Sequence, residues 1–232
     1  PDERAALQTA DLVVYMGQIH FQPQVEEAVD GADTRVVAVA EVASDRLRTP
    51  EGGTDVSAGL DPHLWLDATA MARTSIAVGE ALAAADPSQA DAYRQRAAQT
   101  AQTFTTLKAE IAESLTSCAH DVVVVSHAAY GYVVQGHAIE QVGISGAGGH
   151  SEVSSSRLAQ LATLIAEKGV TAVLAEEVEG RAAAEALARE AGVALVDIDP
   201  LESPSQAQRQ QGFPALLRQL VQTFADTLKC QT

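Results

Sequence analysis

Aromatic side chains are scarce in this chain: Phe, Tyr and Trp make up 4% of its 232 residues. The core must therefore be aliphatic, and with 47% apolar residues there is enough material for one. No apolar run approaches the ~20 residues that a transmembrane helix needs, so no membrane span is expected. A basic n-region, an apolar h-region and a cleavage site are also missing. The first residues are Pro1-Asp2-Glu3 rather than Met. A processed or truncated product is expected, with any export signal or lipid anchor upstream. Cations are few, 15 Lys and Arg against 31 Asp and Glu, for a net charge of −16. Nucleic-acid phosphates call for clustered Lys and Arg, so that partner is not expected. An acidic surface serves solubility.

Cysteine is nearly absent too. Cys118 and Cys230 stand 112 positions apart, which fits no metal-knuckle spacing. They are either two unconnected thiols or a disulfide closing a long loop. Such a bridge would contribute up to ~4.7 kcal/mol on the chain-entropy model and would mark an oxidising compartment. Hydrolase motifs are missing as well: there is no HExxH, and Ser126-His127 are adjacent, a poor arrangement for a catalytic triad on a strand.

What is present is an alternation of strands and helices. Leu12 to Tyr15 is a short apolar run ended by Gly17, residues 22–30 have helical spacing, and Arg35 to Val42 reads as a second strand. Residues 44–60 are polar and Gly-rich, which predicts a loop. Helices are expected over 68–84 and 87–117. The second opens with Asp86 as N-cap and Pro87 at the first helical position. At 1.5 Å per residue it would span roughly 45 Å, long enough to act as a strut between two lobes. The second half has strands at 121–126, 170–175 and 193–198, a Gly-rich loop at 143–149, and helices at 155–168, 180–191 and 213–229. Strands separated by helices argue for parallel sheets. The expected fold class is α/β: two lobes with parallel sheets flanked by helices, joined by one long linker helix. The expected division is an N-terminal lobe over 1–85, the linker over 86–117 and a C-terminal lobe over 118–232.

In open α/β sheets ligands bind beyond the carboxyl ends of the strands. His127 directly follows the run DVVVVS and Asp199 directly follows VALVDI. Both residue types bind zinc, and both fall at the same predicted sheet edge. The six histidines form no HxxxH pair, so any metal site must be assembled from distant segments.

Five segments in order carry a resemblance. Asp61-Pro62-His63-Leu64-Trp65-Leu66-Asp67 resembles the DPHxWLD segment of zinc-binding receptors of ABC metal importers. Ser126-His127-Ala128-Ala129-Tyr130-Gly131-Tyr132 resembles their SHxAFGY segment, and Asp199-Pro200-Leu201-Glu202 their late DPL element. Ala10 to Tyr15 is similar to their ADLVVY strand, and Gly143-Ile144 with Glu152-Val153-Ser154 to their GI…EPS stretch. The matches cover nearly the whole chain.

The resemblance implies a protein outside the cytoplasm, periplasmic or on the outer face of the membrane as a lipoprotein. It would be monomeric and would deliver Zn2+ to an ABC permease. It implies His63, His127 and Asp199 as metal ligands in a cleft between the lobes. It also favours pairing of Cys118 with Cys230. Manganese receptors of this kind place Glu after the Ser, so His127 points to zinc rather than Mn2+, in line with ligand hardness. The family's first His precedes an EPxP-like turn and is expected upstream of Pro1. That leaves one coordination position for water, an anion or a local histidine. His20 is the local candidate, and His150, in the Gly-rich loop, is a candidate for an accessory metal role. Glu176, at a strand end, could accept a hydrogen bond from a ligand imidazole. The alternatives are a metal-dependent surface adhesin, a zinc chaperone and, least in keeping with the motifs, a zinc hydrolase using Glu176 or Glu177 as base. No enzymatic activity is expected.

Overall fold

A computed structural model describes residues 2–17, 19, 23–30, 34–50, 59–145, 153–177 and 180–231. His20, His150 and most of the Gly-rich loop predicted at 143–149 lie outside the described residues. The chain divides into two compact units, Pro1–Arg48 with Gly59–Lys108, and Thr49–Ala58 with Ala109–Thr232.

The first unit is built on a two-stranded parallel sheet. Strands β1 (Leu12–Tyr15) and β2 (Arg35–Ala38) pair in register from Leu12↔Arg35 to Tyr15↔Ala38. Helix α1 (Asp2–Thr9) precedes β1, helix α2 (Pro23–Val29) lies in the connection to β2, and the two helices touch each other. The strand expected to continue to Val42 stops at Ala38, and Val39–Val42 form the short helix α3. Ala40 N–H donates to the Met16 carbonyl at 2.9 Å and Ala43 N–H to the Val39 carbonyl at 3.0 Å, which closes the turn. Ala and Glu favour helix over strand, so apolar alternation alone misread this stretch.

Helix α4 (Ala68–Ala85) packs against β1, β2 and α3. Helix α5 (Ala90–Ser114) follows a 3-10 turn at Pro87–Gln89. The long helix predicted from 87 to 117 is thus 25 residues. Asp86 caps the 3-10 turn by accepting from Ser88 N–H at 3.1 Å.

The second unit holds a four-stranded, wholly parallel sheet in the order β4-β3-β5-β6. Its strands are β3 (Val122–His127), β4 (Glu140–Ser145), β5 (Ala172–Ala175) and β6 (Ala194–Asp197). All six residues of β3 are buried, which is why its sequence is a continuous apolar run. Val122, Val124 and Val173 point to one face and pack with Leu161 and Ile165 of α7 (Ser155–Lys168) and Leu187 of α8 (Arg181–Ala191). Alternate residues face opposite sides of a strand, so Val123 and Val125 face the other way, the side on which α10 (Phe213–Leu228) meets β3. The helix buries Leu216, Leu217, Leu220, Phe224 and Leu228 as one stripe, each stabilising by about 1.5–3 kcal/mol. Two small helices complete the unit, α6 (Gly131–Val134) and α9 (Gln206–Gln211).

Strand β4 and helix α9 are elements that sequence periodicity did not predict. Gly143 and Gln141 break the apolar pattern of β4, and its register with β3 (Val122↔Glu140 to His127↔Ser145) makes it a strand. Helix α9 has hardly an apolar residue to mark it, but Ser205 and Gln208 form a capping box at its start. Cys118 and Cys230 form a disulfide that fastens the approach to β3 to the end of α10.

Candidate metal centre

The strand order sets where a ligand can enter. From β3 the chain goes to β4 on one side, then crosses back to β5 on the other. The switch point therefore lies between the carboxyl ends of β3 and β5, where open parallel sheets bind their ligands. His127 ends β3 and Glu176 directly follows β5. Ser126 fastens the two: its Oγ accepts from Glu176 N–H at 3.1 Å, and its carbonyl accepts from Ser145 Oγ at 2.9 Å.

His127 and Glu176 are both buried. The His127 Nδ1 lies 3.3 Å from Glu176 Oε1, and Tyr130 O–H donates to the same oxygen at 3.1 Å. An ionised carboxylate only accepts, so Nδ1 carries the ring proton and Nε2 the lone pair. Tyr130 is fully buried and donates its backbone N–H to Gln141 Oε1 at 2.6 Å. Gly180 guards the same corner. A Cβ there would meet Ser126 Cβ and its carbonyl oxygen at 3.2 Å, and its φ of +67° disfavours any other residue.

Burial, then the Glu176 charge and hydrogen bond, push the Tyr130 phenol well above its ordinary value. The sign of the effect follows. Below about pH 10 the phenol is neutral in both folded and unfolded chains, and its contribution to stability is complete. As pH rises above that, the unfolded chain ionises first and stability is lost until the folded phenol also ionises. Tyr130→Phe is expected to cost about 1 kcal/mol at neutral pH through the missing hydrogen bond and to flatten the alkaline loss. Denaturation midpoints measured from pH 8 to 11 check both effects.

In the first unit, His63 sits at the mouth of a 3-10 turn, Leu64–Leu66, and is 2% exposed. Its Nδ1 lies 2.7 Å from Asp61 Oδ1, which also accepts the His63 backbone N–H at 3.0 Å. The proton is again on Nδ1 and the lone pair on Nε2. Trp65 stands edge-on to the imidazole, with centroids 5.2 Å apart.

Asp199 follows β6, as read from the sequence, but both its oxygens are engaged. Oδ1 accepts from Leu201 N–H at 2.7 Å and Oδ2 from Gln208 Nε2 at 2.6 Å. The first bond is an Asx turn that holds Leu201 at φ 63°, a left-handed conformation costing about 1–2 kcal/mol for a non-glycine residue. The same turn brings Glu202 round, so that a carboxylate oxygen of Glu202 and a ring nitrogen of His127 lie within 4.8 Å. Sequence reasoning quoted Glu202 only as part of the DPLE string and missed Gln208. An acceptor three residues beyond Asp199 in the same turn was the available signal. Glu177 is exposed.

The family model of ZnuA, "zinc-uptake complex component A periplasmic", matches residues 1–227. The chain belongs to this family. Among curated proteins, the zinc-binding lipoprotein AdcA of Streptococcus pneumoniae (strain ATCC BAA-255 / R6) is similar to this chain, 28% identical over 218 residues, 90% of this chain. The chain spans 43% of that relative's length. Among solved structures, the periplasmic zinc binding protein TroA from Treponema pallidum superposes with a TM-score of 0.82 at 23% identity, over 98% of this chain and 84% of the other. Zn(II)-bound AdcA from Streptococcus pneumoniae gives 0.78 at 24% identity, over 99% of this chain and 49% of the other. At these identities the structural likeness speaks for the fold.

Proposed function

We propose that this ZnuA-family chain binds Zn2+ outside the cytoplasm and delivers it to the permease of an ABC importer. One observation carries the reading: two buried histidines, His63 and His127, each have Nδ1 held against a carboxylate. This is the usual way a protein fixes a zinc-binding imidazole and raises its basicity. His63 and His127 supply nitrogen ligands, and Asp61 and Glu176 orient them. The third ligand is a carboxylate of the 199–202 turn. The DPL resemblance assigns Asp199. The hydrogen bonds that already occupy both Asp199 oxygens, and the nearness of Glu202 to His127, favour Glu202. Imidazole in two positions suits zinc better than manganese.

The role is that of a receptor, with the cation as cargo, held and released through coordination bonds with no covalent chemistry. In this reading the protein works as a monomer, periplasmic or tethered as a lipoprotein.

Zinc titration against a chelating dye, with anomalous scattering at the zinc edge from loaded crystals, tests the site. Glu202→Gln is expected to weaken binding by more than about tenfold, as loss of a ligand should exceed loss of a ligand's hydrogen-bond partner. Asp199→Asn, by contrast, keeps the Asx turn and should chiefly disturb the bond from Gln208 Nε2, with a small loss of stability and little loss of affinity. The opposite ranking assigns the oxygen ligand to Asp199. Zinc-dependent hydrolysis of ester or peptide substrates at enzymatic rates would overturn the receptor reading. So would failure of the loaded protein to stimulate the ATPase of its reconstituted importer.

A further inference from the structure

The DPHLWLD segment begins and ends on an aspartate, and each splits its two oxygens between the segment and an arginine. Asp61 gives Oδ1 to the His63 ring and backbone, while Oδ2 faces the Arg48 guanidinium at 3.4 Å. Asp67 gives Oδ1 to Thr69 and Ala70 N–H, capping α4, while Oδ2 binds Arg46 at 2.6 and 2.7 Å. Leu47, between the two arginines, is extended. Arg46 closes the 3-10 turn Ser44–Arg46 and Arg48 follows Leu47, so one short stretch supplies the arginines at both ends of the motif. Arg48 is also fixed through its backbone, whose carbonyl accepts from Asp61 N–H at 2.9 Å.

The two grips differ in what they hold. Arg46 secures a helix cap. Arg48 faces an aspartate that is 0% exposed and touches the imidazole itself. A fully buried carboxylate needs a counter-charge, and without one Asp61 would reorient toward water. That change releases the His63 ring from the bond that orients it and opens the rotamers that zinc binding must then close.

We propose that Arg48 is a positioning residue for zinc capture: its guanidinium holds Asp61 so that the His63 Nε2 lone pair is presented before the metal arrives. The inference rests on His63 being a ligand. Four variants test it, with zinc affinity from chelator competition and the ring tautomer from histidine nitrogen chemical shifts in the metal-free protein. Arg48→Gln and Arg48→Met, the second keeping the apolar stem, should each weaken zinc binding about 10–100-fold, the range found when a ligand loses its orienting partner. Both should mix the His63 tautomers. Arg48→Lys, which keeps the charge, should recover most of the affinity. Arg46→Gln should lower the melting temperature, yet leave the tautomer intact and affinity within about threefold, below that 10–100-fold range. An unchanged tautomer and affinity in both Arg48→Gln and Arg48→Met overturn the proposal. So does an equal loss of affinity in Arg46→Gln. His63→Ala separates the two levels: full zinc affinity in that variant sinks the ligand reading, whereas weak binding there with normal Arg48 variants sinks only the role of Arg48.

Discussion

Zinc affinity is expected to fall by more than about 100-fold when His127 is replaced by alanine, beyond the 10–100-fold typical of losing a ligand's hydrogen-bond partner. The substitution takes away a nitrogen donor that none of its described hydrogen-bond neighbours replaces. Tyr130 O–H donates to Glu176, and Ser126 Oγ is spent on the Glu176 backbone N–H. It also leaves Glu176 buried with one partner fewer. The stability cost should be modest, because the Tyr130 bond to Glu176 remains. Glu176→Gln keeps the imidazole and an acceptor oxygen for it but removes the negative charge that raises the ring's basicity, and should fall inside the 10–100-fold range. His120 and His137, both partly exposed, serve as controls, with affinities unchanged on replacement by alanine. Isothermal titration with a competing chelator reads all four. A His127→Ala protein that binds zinc within threefold of the parent would remove this residue from the site.

Removing the disulfide should produce the largest change in stability. Cys118 and Cys230 close a loop with a separation of 112 residues. On the chain-entropy model a loop of roughly 100 residues is worth about 4.7 kcal/mol, a large part of the 5–15 kcal/mol typical of folded proteins. The location adds a folded-state term. Ala119 and His120 N–H both donate to the Leu228 carbonyl at 3.1 Å, and Gln231 N–H to the Ser117 carbonyl at 2.8 Å. These bonds close the unit where its first strand begins and its last helix ends. A Cys118→Ser/Cys230→Ser protein is therefore expected to lose several kcal/mol in urea denaturation. The folded fraction should bind zinc normally, since the bridge is at the amino end of β3 and the His127 site at its carboxyl end. An unchanged urea midpoint, with or without reductant, would show that the bridge adds nothing to stability.

Much of this architecture could be read from the sequence. DVVVVS is legible as a doubly covered strand because burial on both faces demands a continuous apolar run. Helix α10 shows its stripe at helical spacing. His63 and His127 stand inside recognisable strings. The failures share one cause. Residues 39–42 alternate like a strand but turn into a helix, β4 carries Gln141 and Gly143 in its interior, and α9 is nearly all polar. In each, the deciding contact is with a segment far away in sequence, or with a cap, and leaves no local periodicity.

The sequence by itself determined the family, the alternation of strands and helices, and the two histidines, because residue identity and spacing are local properties. Only the tertiary structure decided the orientation of those groups. The proton sits on Nδ1 of His127 because β3 and β5 are neighbours, which sets a carboxylate from position 176 against a ring at 127. The two carboxylates after β6 face different partners because an Asx turn bends Leu201 into a left-handed conformation and brings Glu202 near His127. Arg48 meets Asp61 across a loop that no spacing rule anticipates. Which atom faces which depends on chain crossings and backbone angles, and these are fixed by packing rather than by any stretch of residues alone.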